Sequence, residues 1–64
     1  MIKYNELPQD IQLEISKLAI QYPYTHDEIV KYYLMGGKFT EKLLKMKLVG
    51  IADKTIQDYG IEGI

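Results

Sequence analysis

Sixty-four residues hold one small domain, and a chain of this size buries only about 60% of the surface its unfolded form exposes, so its core is thin. With no Cys and a single His, neither a disulfide framework, a zinc-thiolate site nor a His-based metal cluster is available within one chain, and neither metal nor cofactor is expected. The net charge of −1, with eight basic residues that are all Lys, excludes a chain devoted to non-specific phosphate binding and the bidentate Arg readout of guanine.

The apolar fraction of 47% and charged fraction of 27% are those of an ordinary globular domain. No apolar run approaches the roughly 20 residues that span a bilayer, and Met1-Ile2-Lys3-Tyr4-Asn5-Glu6 lacks the basic-then-apolar pattern of a signal peptide. A cytoplasmic chain with no membrane partner is the expectation. Its brevity and its richness in Ile, Lys and Tyr suit a compact genome such as a phage.

From about Glu6 to Tyr22, Leu7, Ile11, Ile15, Leu18 and Tyr22 recur at helical spacing and predict a first helix. Asn5 reads as its N-cap, Pro8 as a first-turn residue and Pro23 as its stop. Leu13 and Ile20, seven residues apart, fall on one line opposite this stripe. Either a neighbouring element covers them or they form a second contact surface, including a homodimer seam.

The stretch from Thr25 to Gly37 is the best-punctuated part of the chain. Thr25 and Glu28 predict a capping box, Tyr24 and Ile29 a hydrophobic staple, and Asp27 with Glu28 complement the helix dipole. Gly36-Gly37 supply a left-handed stop. Ile29, Val30, Tyr33 and Leu34 are expected on the core face of this second helix, with Tyr32 and Met35 pointing elsewhere.

A third helix is predicted from Phe39 or Thr40 to Val49, with Thr40 as N-cap and Gly50 as its stop. Phe39, Leu43 and Met46 line one face. Lys38, Lys42 and Lys45, with Lys47 nearby, line another, which is either the solvated side of an amphipathic helix or a set of phosphate contacts. After Ile51, either Asp53 caps a short fourth helix that carries Ile56 and Tyr59 and ends at Gly60, or Leu48–Ala52 pairs with Thr55–Ile61 as a hairpin. The helix is favoured because Asp53-Lys54 lacks the Gly that tight hairpins prefer. The predicted fold class is therefore all-α, a compact three-helix bundle with a short fourth helix or hairpin.

Catalytic chemistry finds little footing. There is no phosphate-binding glycine loop, and a nucleophile–base pair would have to use His26, whose neighbours Thr25, Asp27 and Glu28 are better explained by capping. Helical spacing assigns Tyr22 and Tyr33 to the core. Tyr24 and Tyr32, with Met35, are candidates for an interaction surface, because tyrosine offers rigid area with a polar tip. A non-enzymatic binding protein is expected.

The order Leu18, Tyr22-Pro23-Tyr24, Glu28-Ile29, Tyr32-Tyr33, Gly36-Gly37, Phe39, Leu43-Leu44, Met46 resembles that of ubiquitin-associated (UBA) domains and their relatives, over roughly residues 8–48. The resemblance implies a three-helix bundle and a protein-binding patch of Tyr22, Pro23 and Tyr24 with Leu44, Lys47 and Leu48. Gln21-Tyr22-Pro23 stands where ubiquitin-binding members carry Met-Gly-Phe. A fainter resemblance, to winged helices, rests on the second helix, Gly36-Gly37, the third helix and the exit Leu48-Val49-Gly50-Ile51. It implies a DNA-binding regulator with Lys38, Lys42, Lys45 and Lys47 on the phosphates. The leading expectation is a small adaptor or inhibitor that docks on another protein. DNA binding and self-association through a Leu13/Ile20 seam stand as alternatives, and Leu13, Ile20, Tyr32 and Met35 together are the candidates for a second interface.

Overall fold

The computed structural model describes residues 2–63, with side chains described from 2 to 60. Its elements are a 3₁₀ turn at Tyr4–Glu6, α1 at Gln9–Gln21, α2 at His26–Gly36, a second 3₁₀ turn at Gly37–Phe39, α3 at Thr40–Leu48 and α4 at Asp53–Gly63. The fold is all-helical, and no strand occurs among the described residues. By packing the chain divides into two units, Met1–Lys31 and Tyr32–Ile64.

In the first unit the opening helix starts later than its apolar spacing predicts. Proline disfavours helical backbone in the residue before it. Leu7 accordingly sits extended at φ −84°, ψ 156°, and Pro8 follows at φ −55°, ψ 150°. Asn5 is therefore not an N-cap but part of the 3₁₀ turn, and the Pro8 carbonyl receives the first α1 hydrogen bond, from Gln12 N–H at 3.0 Å.

Tyr4 ties this unit together. Its phenol donates to the Gln12 carbonyl at 3.1 Å, and with that one proton committed it accepts from the Ser16 hydroxyl at 2.6 Å. Its backbone N–H donates to Asp27 Oδ1 at 3.2 Å, and its ring meets His26 edge-on at 4.6 Å between centroids. A 3₁₀ turn too short to be stable alone is thus pinned to both α1 and the start of α2.

The start of α2 realises half of the expected capping box. Glu28 N–H donates to Thr25 Oγ1 at 3.2 Å. The Glu28 carboxylate accepts the Thr25 hydroxyl at 3.4 Å. Ile15, Ile29 and Val30 are buried.

The second unit begins within α2, at Tyr32. Gly37, at φ +55°, is the left-handed residue that ends the helix. Thr40 is not an N-cap: a 3₁₀ turn precedes it, it is the first residue of α3, and its buried hydroxyl donates back to the Gly37 carbonyl. The far end of α3 closes in a Schellman motif, with Gly50 at φ +93°, its N–H on the Lys47 carbonyl at 3.0 Å and Ile51 N–H on Met46 at 3.1 Å.

Residues 53–63 form α4, so the hairpin alternative, and with it the wing of a winged helix, does not form. The Schellman turn consumes the segment that the first strand needed. Nor does Gly60 end the last helix. It lies buried inside α4, where an added Cβ would stand 2.9 Å from the Met35 carbonyl oxygen and 3.3 Å from Leu43 Cδ1. Gly60 is there because α4 passes close to backbone.

Candidate functional site

The first candidate patch is largely interior. Tyr22 is 9% exposed and Leu44 is fully buried, so neither is available as a contact residue. The helical stripe that recommended Tyr22 for the core outweighs its place in the Tyr22-Pro23-Tyr24 corner. That corner is a three-residue turn closed by Tyr24 N–H on the Tyr22 carbonyl at 2.8 Å, leaving Pro23 exposed and Tyr24 half-buried. Leu48, 55% exposed at the end of α3, is the member of the set that presents large apolar surface.

Tyr32 overturns its assignment more sharply. It was expected on an outer surface, yet it is fully buried. Its phenol donates to Asp53 Oδ1 at 2.7 Å and accepts from Lys47 Nζ at 2.7 Å, while Lys47 and Asp53 stand 3.8 Å apart. A buried phenol needs such partners, and here they come from α3 and the first residue of α4. Met35 and Tyr33 are half-buried, whereas Leu34, expected in the core, is exposed. The inward face of α2 is turned toward Tyr32 and away from Leu34.

The same network changes the lysine set. Lys47 is occupied within the unit by the Tyr32 hydroxyl and ring. Lys38, Lys42 and Lys45 remain exposed. The ammonium of Lys38 lies 5.5 Å from the centre of the Phe39 ring, and that of Lys42 lies 5.4 Å from the Tyr59 ring.

Leu13 and Ile20 stay on the outside of α1, 59% and 86% exposed. Among the described residues none covers them. Just past α3, Val49 is 76% exposed beside Leu48, and the apolar periodicity of the sequence does not single it out. Its signal is the position itself: one residue before Gly50, which closes α3, and on the side of Lys42 and Lys45.

His26 is exposed on the rim of an open recess of about 310 Å³ lined by Lys3, Tyr4, Asn5, His26 and Asp27. Asp27 and the two rings there hold the N-terminal arm in place. Among the described residues no group of three or more His, Cys, Asp or Glu is placed to hold a metal ion, and no helix is long and apolar enough to cross a membrane. Comparison with family models, with characterised proteins and with solved structures gives no match for this chain.

Proposed function

We propose that this chain is a small helical module that binds another protein, acting as an adaptor or inhibitor. The observation that supports this is its allocation of aliphatic side chains. Among the described residues, seven side chains are fully buried and six large hydrophobic ones are exposed. Scattered exposed leucines are normal on any protein. Leu13 with Ile20 on α1, and Leu48 with Val49 where α3 ends, are instead grouped in twos on a chain with little core to spare. Each such side chain contributes roughly 1.5–3 kcal/mol when a partner buries it. A few anchors of this kind can dominate an interface. The UBA-like resemblance enters the proposal through Leu48 at the end of α3, with Tyr22 and Leu44 set aside.

Photo-crosslinking tests the reading. A benzophenone side chain is placed at Ile20, at Val49 and, as an exposed polar control, at Gln57. A specific heavier adduct at Ile20 or Val49 and none at Gln57 is expected. An adduct of twice the chain mass would assign the surface to self-association. Equal labelling at all three positions, or none, would refute the module.

A further inference from the structure

Four lysines and one glutamate lie between residues 38 and 49, whereas the rest of the chain carries eight carboxylates and four lysines. The positive charge is thus gathered on one element of a chain that is otherwise acidic. Within α3, Leu43, Leu44 and Thr40 point inward and are buried, and on the opposite side Lys42 and Lys45, followed by Val49 at the cap just past the helix, succeed one another at helical spacing. Lys38 stands four residues before Lys42, exposed in the 3₁₀ turn that leads into α3. Glu41, the one acidic residue of α3, stands one turn before Lys45 and borders the row on that side.

We infer that this face of α3 is the docking surface for an acidic, amphipathic segment of a partner protein. The inference rests on the reading of the chain as a protein-binding module and names its partner's chemistry. Lys38, Lys42 and Lys45 meet carboxylates repeated at helical spacing on the segment, and Val49 with Leu48 receives an apolar side chain at one end. The order is directional. The carbonyl end of α3 disfavours a carboxylate, so the partner's acids lie toward Lys38 and its apolar anchor toward Val49. The Phe39 and Tyr59 rings beneath Lys38 and Lys42 hold those ammonium groups near the row while leaving them in water. A nucleic acid fits this face less well. Lys47 is turned to the Tyr32 hydroxyl, and the row ends in aliphatic side chains that give a phosphate backbone nothing to pair with.

Fluorescence anisotropy on the full chain decides the matter. The probe is a labelled helical peptide of about 15 residues with Glu at every third or fourth position and two Leu at one end. Comparison probes replace Glu by Gln, or Leu by Ser, and a labelled oligothymidine of similar length serves as the nucleic acid. The Glu/Leu peptide is expected to bind most tightly. Its affinity should fall about tenfold in Lys42→Glu/Lys45→Glu, as two exposed ion pairs become repulsive, and severalfold in Val49→Ser. The Leu13→Glu/Ile20→Lys variant should bind it as the parent does, and circular dichroism confirms that each variant is folded. Equal affinity for the Glu and Gln peptides, tighter binding of the oligonucleotide, or no loss in the lysine variant would overturn the inference. If the peptide fails while the Ile20 crosslink still captures a partner, the acidic-segment inference falls and the module stands.

Discussion

Replacing Tyr32 by Phe removes one oxygen and keeps the ring, so it isolates the buried phenol from the packing around it. That oxygen donates to Asp53 at 2.7 Å and accepts from Lys47 at 2.7 Å. Hydrogen bonds to charged groups contribute about 1.5–3 kcal/mol each. Two considerations lower the sum. The side chains of Lys47 and Asp53 are 28% and 52% exposed, so both recover water when the hydroxyl is gone, and at 3.8 Å they are close enough to pair directly. A partly exposed pair of that kind returns roughly 0–1 kcal/mol. The expected net loss is about 1–2 kcal/mol. For a domain of this size that corresponds to a fall in Tm of roughly 5–15 °C, read by far-UV circular dichroism. Tyr32→Ala, which also empties the ring's volume, should cost about 3–5 kcal/mol. A cycle with Asp53→Asn should show coupling above about 0.5 kcal/mol. A Tyr32→Phe protein as stable as the parent, with no coupling to Asp53, would refute the claim that α2, α3 and α4 are tied through this hydroxyl.

Gly60→Ala should destabilise by about 1–2 kcal/mol, because the added carbon stands 2.9 Å from a backbone oxygen that cannot rotate away. Were Gly60 merely a helix-interior glycine in open space, alanine would stabilise by about 1 kcal/mol, so the sign in urea unfolding decides between the two. Gly50→Ala, at φ +93° with nothing near its Cβ, should cost about 1–2 kcal/mol through backbone strain alone, and Gly50→Asn should recover part of it. Thr25→Ala removes the acceptor for Glu28 N–H and should cost about 1 kcal/mol, with faster amide exchange at Glu28 as the local signature.

What could be read in advance follows from how local its cause is. The end of α2 at Gly37, the end of α3 at Gly50 and the cap at Thr25 each depend on residues within one helical turn, and each stands where that chemistry requires. Leu13 and Ile20 lie opposite the buried stripe because periodicity alone sets the face. The late start of α1 was also a local matter. Pro8 holds Leu7 out of helical backbone, so the helix cannot begin before it.

Tyr32 and Gly60 belong to another class. Nothing beside Tyr32 in the chain indicates that a lysine 15 residues on and an aspartate 21 residues on will meet its hydroxyl. Read locally, a tyrosine off the main stripe is an interface residue, and Gly60 before Ile61 is a stop. Both change meaning when α3 and α4 supply what they touch. The consequence reaches the candidate site, since the network that draws Tyr32 inward also turns Lys47 away from the surface. Of the four lysines on this stretch, Lys38, Lys42 and Lys45 are left outward, and Lys42 and Lys45 lie on the side that Val49 continues. Their common line, and not the number of lysines, gives α3 a face with a direction, and the charge-reversal variants on that line are where the docking argument stands or falls.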